Sequence, residues 1–316
     1  MIPYSDSTGI IFPVFLFWLY VKLKETESAK KKCVLLFFMF FLCYIGFEIK
    51  PMAAIVMIAV AAVEGIHFIG KLLKKQIVWK KSVLACCLSA VLGIGAAAGG
   101  VSAVVDSLHF PVVTDTVLGW QHHMMLGLNK DTNGGYSQAD FDYSTSFSSA
   151  EEQHAAELKE IGKRLKDFGV GGYLQHFVKK SARNYFDGCF GWGGLGETFY
   201  TEIFPERGTV LCSLIRSLYY DNTEDTLYRY PALFRQILWY MVLVLVPFSV
   251  FTKRPLDKKR QVAVLSVLGL MLYLQIFEAH ARYLYTFVPI FVFLATEGID
   301  NLREYLNQKS ERRIKK

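Results

Sequence analysis

Apolar residues in this chain fall in long uninterrupted runs, and charged residues are expelled into short clusters between them. A water-soluble helix or strand interleaves the two at its own period, so this arrangement points to a chain whose solvent is hydrocarbon. Seven runs are read: residues 9–23, 33–49, 51–69, 82–105, 232–251, 262–277 and 283–298. Several fall short of the roughly 20 residues that cross a hydrocarbon core upright; interfacial Tyr and Trp and snorkelling Lys extend them. The expected fold class is an all-α polytopic membrane protein, with about seven transmembrane helices and one mainly helical extracytoplasmic insert. It divides into residues 1–105 (four spans), 106–230 (the insert) and 231–316 (three spans and a basic tail).

Inside the insert, Ser148 and Glu151 have the spacing of a capping box. Leu158, Ile161, Leu165 and Phe168 then recur at three- and four-residue steps, which predicts one apolar helix face. Gly169 is a natural stop. A second helix is predicted over 172–186, with Leu174, Phe177, Val178 and Tyr185 toward its apolar side, and a third over 209–219. The glycine-rich stretch 188–196, with Phe190, Trp192 and Leu195, lacks phosphate-loop spacing. It reads as an interfacial loop or, more sharply, as a lid.

Charge fixes the expected orientation. Lys24 with Lys30–Lys32, then Lys71, Lys74, Lys75, Lys80 and Lys81, then Lys253, Arg254, Lys258, Lys259 and Arg260, and finally Arg312, Arg313, Lys315 and Lys316 all fall on one side if the spans alternate. The positive-inside rule makes that side cytoplasmic, in a multi-pass protein of the cell membrane. The C-terminus is then cytoplasmic, while the N-terminus and the insert lie outside. The opening MIPYSDST carries no basic residue and no signal-peptide pattern, so the chain is expected to begin inside a longer protein. The net charge of +7 sits largely in those clusters and speaks for anionic lipid rather than nucleic acid, since no basic patch interleaved with stacking aromatics is present.

Cys33, Cys43, Cys86 and Cys87 lie in or beside spans and read as small apolar packers. Cys189 and Cys212 share the insert and could pair in an oxidising compartment. No C-x-x-C occurs, and no metal site is predicted, although a divalent metal cofactor stays open.

Three stretches could carry chemistry. Glu278-Ala279-His280-Ala281-Arg282-Tyr283 joins the last two spans and sets an acid, an imidazole and a guanidinium at the bilayer surface, where the Arg fork suits a phosphate. The plainer reading is that Arg282 and Tyr283 anchor a helix end. His122 and His123 in WQHHMMLGLN, followed by Gly134-Gly135-Tyr136, do not share a helix face and so cannot clamp a metal by themselves. Glu48-Ile49-Lys50-Pro51 is an ion-pair candidate in a hairpin. Glu64 and His67 read as interfacial.

The strings WQHHMMLGLN, NGGY, DGCFGWGG and EAHARYLYTFVPIFVFLA, with an acidic, Ser-rich stretch after NGGY, resemble bacterial membrane glycosyltransferases of the C-type fold. These are the protein-mannosyltransferase-like proteins of Gram-positive bacteria. The resemblance covers essentially all of this chain but only the later part of the family's length. It implies a polyprenyl-phosphate-linked sugar as donor and cell-envelope glycan assembly as the setting. By the same resemblance Arg282, Tyr283 and His280 bind the donor phosphate, and Glu48, Lys50, His122, His123 and Glu278 line the cavity. The family's catalytic acid lies in a first external loop that has no counterpart here. The chain is therefore expected to be inactive alone and to work with a separate N-terminal half or with envelope-assembly proteins. Asp6, the one acid of the opening segment, is a weak catalytic candidate, with a helix-start cap as its plainer role. The rival readings are a non-catalytic membrane subunit and a polyprenyl-linked sugar transporter or flippase, although no internal repeat is found.

Overall fold

The computed structural model describes residues 5–75, 81–108, 118–191, 208–219, 227–252 and 255–314. Among these the fold is all helix, and seven helical segments are long and apolar enough to cross a membrane: Ser5–Glu25, Ala29–Ile49, Pro51–Leu73, Val83–Leu108, Arg229–Ser249, Lys258–Ile276 and Ala281–Ser310. Most run past the apolar stretch read from the sequence. The reason is that Lys and Glu side chains at the ends can leave the hydrocarbon while their backbone stays helical. The chain is an all-α polytopic membrane protein.

Two compact units are formed. The first comprises residues 1–113, 246–273 and 286–316. It opens with α1 (Ser5–Gly9) and α2 (Ile11–Glu25), followed by α3 (Ala29–Ile49), whose first turn is capped by Ser28. Lys50 breaks the helix with extended backbone, and Pro51 starts a 3₁₀ turn, Pro51–Ala54, that leads into α4 (Ile55–Leu73). Next comes α5 (Lys81–Leu108), which packs against α3. Fully buried Leu16, Met39, Val56, Leu270 and Leu294 belong to the core of this unit.

The expected Glu48–Lys50 ion pair is replaced by another. Lys50 pairs with Asp6, whose residue is fully buried in α1, while Glu48 remains exposed. Asp6 thus lies within the first turn of α1 and neutralises a cation instead of capping a helix near Thr8. Glu64 collects Lys24, Lys258 and the Tyr20 hydroxyl, each at 2.7 Å, and His67 meets Gln261 at 3.1 Å. These two residues cross-tie three spans, a more specific role than interfacial anchoring.

The second unit comprises residues 114–245 and 274–285. It holds α6 (Trp120–Gly127), α7 (Gln138–Thr145), α8 (Ala150–Tyr185), α9 (Val210–Tyr219) and α10 (Arg229–Leu245). The α8 cap is Ser149, which accepts from the Glu152 amide at 3.3 Å, one residue later than the predicted box. Gly169 breaks α8 with φ +56°, ψ 179°, backbone that a glycine adopts without a Cβ penalty. Of the apolar faces expected on the two halves of α8, Ile161 and Phe168 are buried as expected, while the leucines, Phe177 and Val178 are not. Leu158, Leu165, Leu174 and Val178 are exposed, whereas Gln153, Glu157, Ile161, Phe168, His176, Lys180 and Asn184 are buried. Polar side chains with partners inside the unit displace leucines from its interior. Cys189 and Cys212 carry free thiols, so the bridge left open by the sequence is not formed. In the glycine-rich stretch, Trp192, Leu195 and the residues beyond Gly191 lie outside the described residues.

Candidate functional site

The site is built around a backbone clamp in the second unit. Asn129 ends the α6 turn by accepting the amides of Asp131 and Thr132 on its side-chain oxygen, at 3.0 and 3.1 Å. The loop then folds back so that the Gly134 carbonyl accepts from the Ala279 amide at 2.7 Å. On the other side of Ala279, Arg183 Nε donates to its carbonyl at 3.3 Å. With both backbone groups held, the flanking Glu278 and His280 are fixed. Gly127 is needed for this approach, because a Cβ there would lie 2.6 Å from the Ile276 carbonyl oxygen.

Around the clamp the predicted residues 278–283 converge with α6. Glu278, buried, accepts from the Tyr283 hydroxyl at 2.8 Å and lies 3.6 Å from Nδ1 of His123, whose own side chain is 47% exposed. The Arg282 guanidinium reaches the Tyr283 oxygen at 3.4 Å and lies over the same ring. Burial pushes the Glu278 carboxyl up, but hydrogen bonds from His123 and Tyr283 and the nearby Arg282 charge outweigh it. The group is held below the usual carboxylate range and ionised at neutral pH. His280 behaves oppositely: burial, reinforced by Arg282 and Arg183, pushes it down to about 4. It is neutral, its Nδ1 accepts from the Arg282 amide at 3.2 Å, and its proton therefore sits on Nε2.

His122 faces the other way. It is buried, with Nδ1 2.7 Å from Ser144 Oγ and 3.9 Å from Glu157 Oε1, and burial lowers its affinity for a proton. Serine and acid both meet the same ring nitrogen. A Ser–His–acid relay needs one on each nitrogen, so this cluster is not a nucleophile triad. Nearby, Arg164 grips Asp140 through both terminal guanidinium nitrogens at 2.8 and 2.7 Å and donates to the Met125 carbonyl at 2.8 Å, which ties α6, α7 and α8 together, while its Nε donates to Glu160 at 3.0 Å.

Beneath the clamp lies a residue that hydropathy gave no reason to single out. Lys180 is fully buried, and its Nζ donates to the carbonyls of Gly127 and Gln275, both at 2.9 Å. His176 Nε2 also meets the Gly127 carbonyl, at 2.9 Å. Burial pushes the Lys180 ammonium down to about 7, against the attraction of Glu278. The signal that could have exposed it is the spacing His176, Lys180, Asn184, a polar stripe at four-residue steps on one helix.

Residues 1–301 match the family model described as conserved hypothetical integral membrane protein. The chain belongs to that family. No curated protein and no solved structure matches it. The family's description adds membrane integration and no chemistry, so the chemistry must be argued from the side chains. Six of the predicted site residues, His122, His123, Glu278, His280, Arg282 and Tyr283, fall in the second unit; Asp6, Glu48 and Lys50 belong to the first. Among the described residues, no three His, Cys, Asp or Glu side chains converge as metal ligands.

Proposed function

We propose that this family member is the later part of a membrane glycosyltransferase that takes its sugar from a polyprenyl-phosphate donor, with the 278–283 turn handling the donor phosphate. The observation that carries the reading is one cluster in which an ionised Glu278 is held by His123 and Tyr283 while Arg282 and Arg183 bring an excess of positive charge. The resemblance of the EAHARYLYTF and WQHHMMLGLN strings supports it.

In this reading Arg282 binds the phosphate oxygens, Tyr283 orients the guanidinium, and neutral His280 adds a hydrogen-bond donor through Nε2. The Glu278 carboxylate attracts the Nδ1 proton of His123, which leaves Nε2 to receive a proton. The acceptor hydroxyl gives its proton to that nitrogen as its oxygen bonds to the anomeric carbon. The bond from that carbon to the phosphate oxygen breaks, and its electron pair leaves with the lipid phosphate, where Arg282 stabilises the added charge. The insert and the N-terminus face the outside and the basic tail the cytoplasm. Labelling of Cys212 by an impermeant thiol reagent applied from outside checks this.

The test uses the full chain in vesicles with labelled polyprenyl-phosphate sugar. Wild type supplied with its separate N-terminal half transfers label, Arg282→Ala weakens donor use, and His123→Gln cuts turnover about 10²-fold while donor binding is retained. Unchanged donor kinetics in Arg282→Ala removes the phosphate assignment. Turnover of His123→Gln equal to wild type removes the base alone. No transfer by wild type, with that half or with its envelope partners, leaves the non-catalytic subunit as the reading.

A further inference from the structure

Residues 170–185 form a helix that wears its polarity inside out. The stripe facing the interior of its unit is polar, with His176, Lys180 and Asn184 at 4% exposure or less. A second stripe is apolar and bare: Val170, Leu174, Phe177 and Val178 are 84%, 62%, 41% and 67% exposed. A third, Gln175 and Lys179, is polar and exposed. In water this would be a costly arrangement. At about 25 cal/mol per Å², apolar side chains of this size each leave on the order of 1 kcal/mol or more unrealised.

The far end of this helix is tied to a span of the same unit. The carbonyl of Tyr185 accepts from the Trp239 indole at 2.9 Å, and that of Phe186 accepts from Gln236 at 2.6 Å and Tyr240 at 3.2 Å. The Gly188 amide donates back to Gln236 at 2.8 Å. These anchors sit where the candidate span Arg229–Ser249 changes character: Arg229 and Arg235 precede them, and residues 237–245 carry no charge. A Trp–Tyr pair at such a boundary is the mark of the membrane–water interface.

We propose that residues 170–185 lie in the plane of the membrane interface, with Val170, Leu174, Phe177 and Val178 sunk into the acyl chains of the bilayer. The bilayer is the occupant to which the geometry commits, because the apolar stripe runs into the anchor point on the span. Gln175 and Lys179 then look to the headgroups and water, as on the polar face of an interfacial helix. The inward stripe meanwhile carries the Lys180 and Arg183 contacts to the clamp. The candidate site is therefore held at the depth where the phosphate of a membrane lipid lies. The placement itself stands without the glycosyltransferase reading.

Spin labels at Leu174→Cys, Val178→Cys, Gln175→Cys and Lys179→Cys, in the full chain with native cysteines replaced by serine and reconstituted in vesicles, test it. Collision with oxygen should exceed collision with a water-soluble nickel chelate several-fold more at 174 and 178 than at 175 and 179. Equal nickel access at all four positions overturns the proposal. Low access to both reagents at 174 and 178 also overturns it, and shows that protein, a second copy or another chain, covers the stripe. The unmodified chain provides the control on folding: a diazirine-bearing phospholipid should label the peptide that carries Leu174, Phe177 and Val178. Absence of label there, with the spans labelled, overturns the placement as well.

Discussion

Replacing Lys180 by methionine separates two opposing terms. Its Nζ satisfies two carbonyl oxygens; that of Gly127 keeps His176 when Lys180 is lost, whereas leaving that of Gln275 unpaired in the interior costs about 1–3 kcal/mol. Against this stands the burial of the ammonium. The folded-state value of about 7, against an ordinary 10.5, corresponds to a ceiling of about 5 kcal/mol at about 1.4 kcal/mol per pH unit. The sign follows from proton counting. Between pH 7 and 10.5 the unfolded chain keeps the proton that the folded chain has shed, so stability rises with pH across that window. Below pH 7 both states are protonated and the penalty is complete. Wild type should therefore gain on Lys180→Met as pH rises. The assay is thermal unfolding of the full chain in nanodiscs at one scan rate, from pH 6 to 9. At roughly 2 °C per kcal/mol or less for a chain this long, the difference in Tm should widen by about 4 °C between pH 7 and 9. Other titrating groups cancel in the difference. Parallel curves for wild type and variant would refute the claim that Lys180 is buried as described.

Three further outcomes are expected. Arg164→Ala, which leaves the buried Asp140 carboxylate with Asn129 alone, should cost about 3 kcal/mol and increase hydrogen exchange in residues 120–168, whereas Asp140→Ala, after which Arg164 keeps Glu160 and the Met125 carbonyl, should cost less. Gly127→Val, with a Cβ 2.6 Å from the Ile276 carbonyl oxygen, should force the clamp apart and lower both folded yield and Tm, an effect that pH does not relieve. Cys33 and Cys86, with sulfurs 3.9 Å apart, should cross-link under copper–phenanthroline oxidation and shift the mobility of a chain nicked between them; failure to do so would count against the pairing of α3 with α5.

The spans were legible because lipid demands an unbroken apolar surface, and no competing force blurs that signal. Their ends were not, since Lys24 and Glu25 continue α2 beyond its greasy stretch. In the insert Gly169 was readable as a stop and Ile161 and Phe168 as core, but the polar members of the buried stripes were not legible. Leu158 and Leu165 lie one step around the helix from Glu157 and Arg164, and hydropathy prefers the leucines. Only the His122, Asp140 and Met125 partners, distant in sequence, make the polar stripe the interior one. The 278–283 turn drew notice through its concentration of ionisable residues. That His123 would meet Glu278, and that Lys50 would choose Asp6 over Glu48, depended on tertiary approach, which local spacing does not encode.

Ala29–Ile49, Val83–Leu108 and Arg229–Ser249 keep only 11% of their apolar windows buried, against 39–44% for the other four. Two vocabularies are therefore written in the same greasy letters. At Leu84, Leu88, Val91 and Leu92 a residue has only to dissolve in its surroundings, and leucine, valine or phenylalanine serve alike. At Val56, Leu270 and Leu294 it must also fit a mould, and a single methylene is felt. Hydropathy profiles cannot tell these apart. A saturation screen would, by tolerating shuffled aliphatics along the peripheral helices and rejecting them in the inner ones.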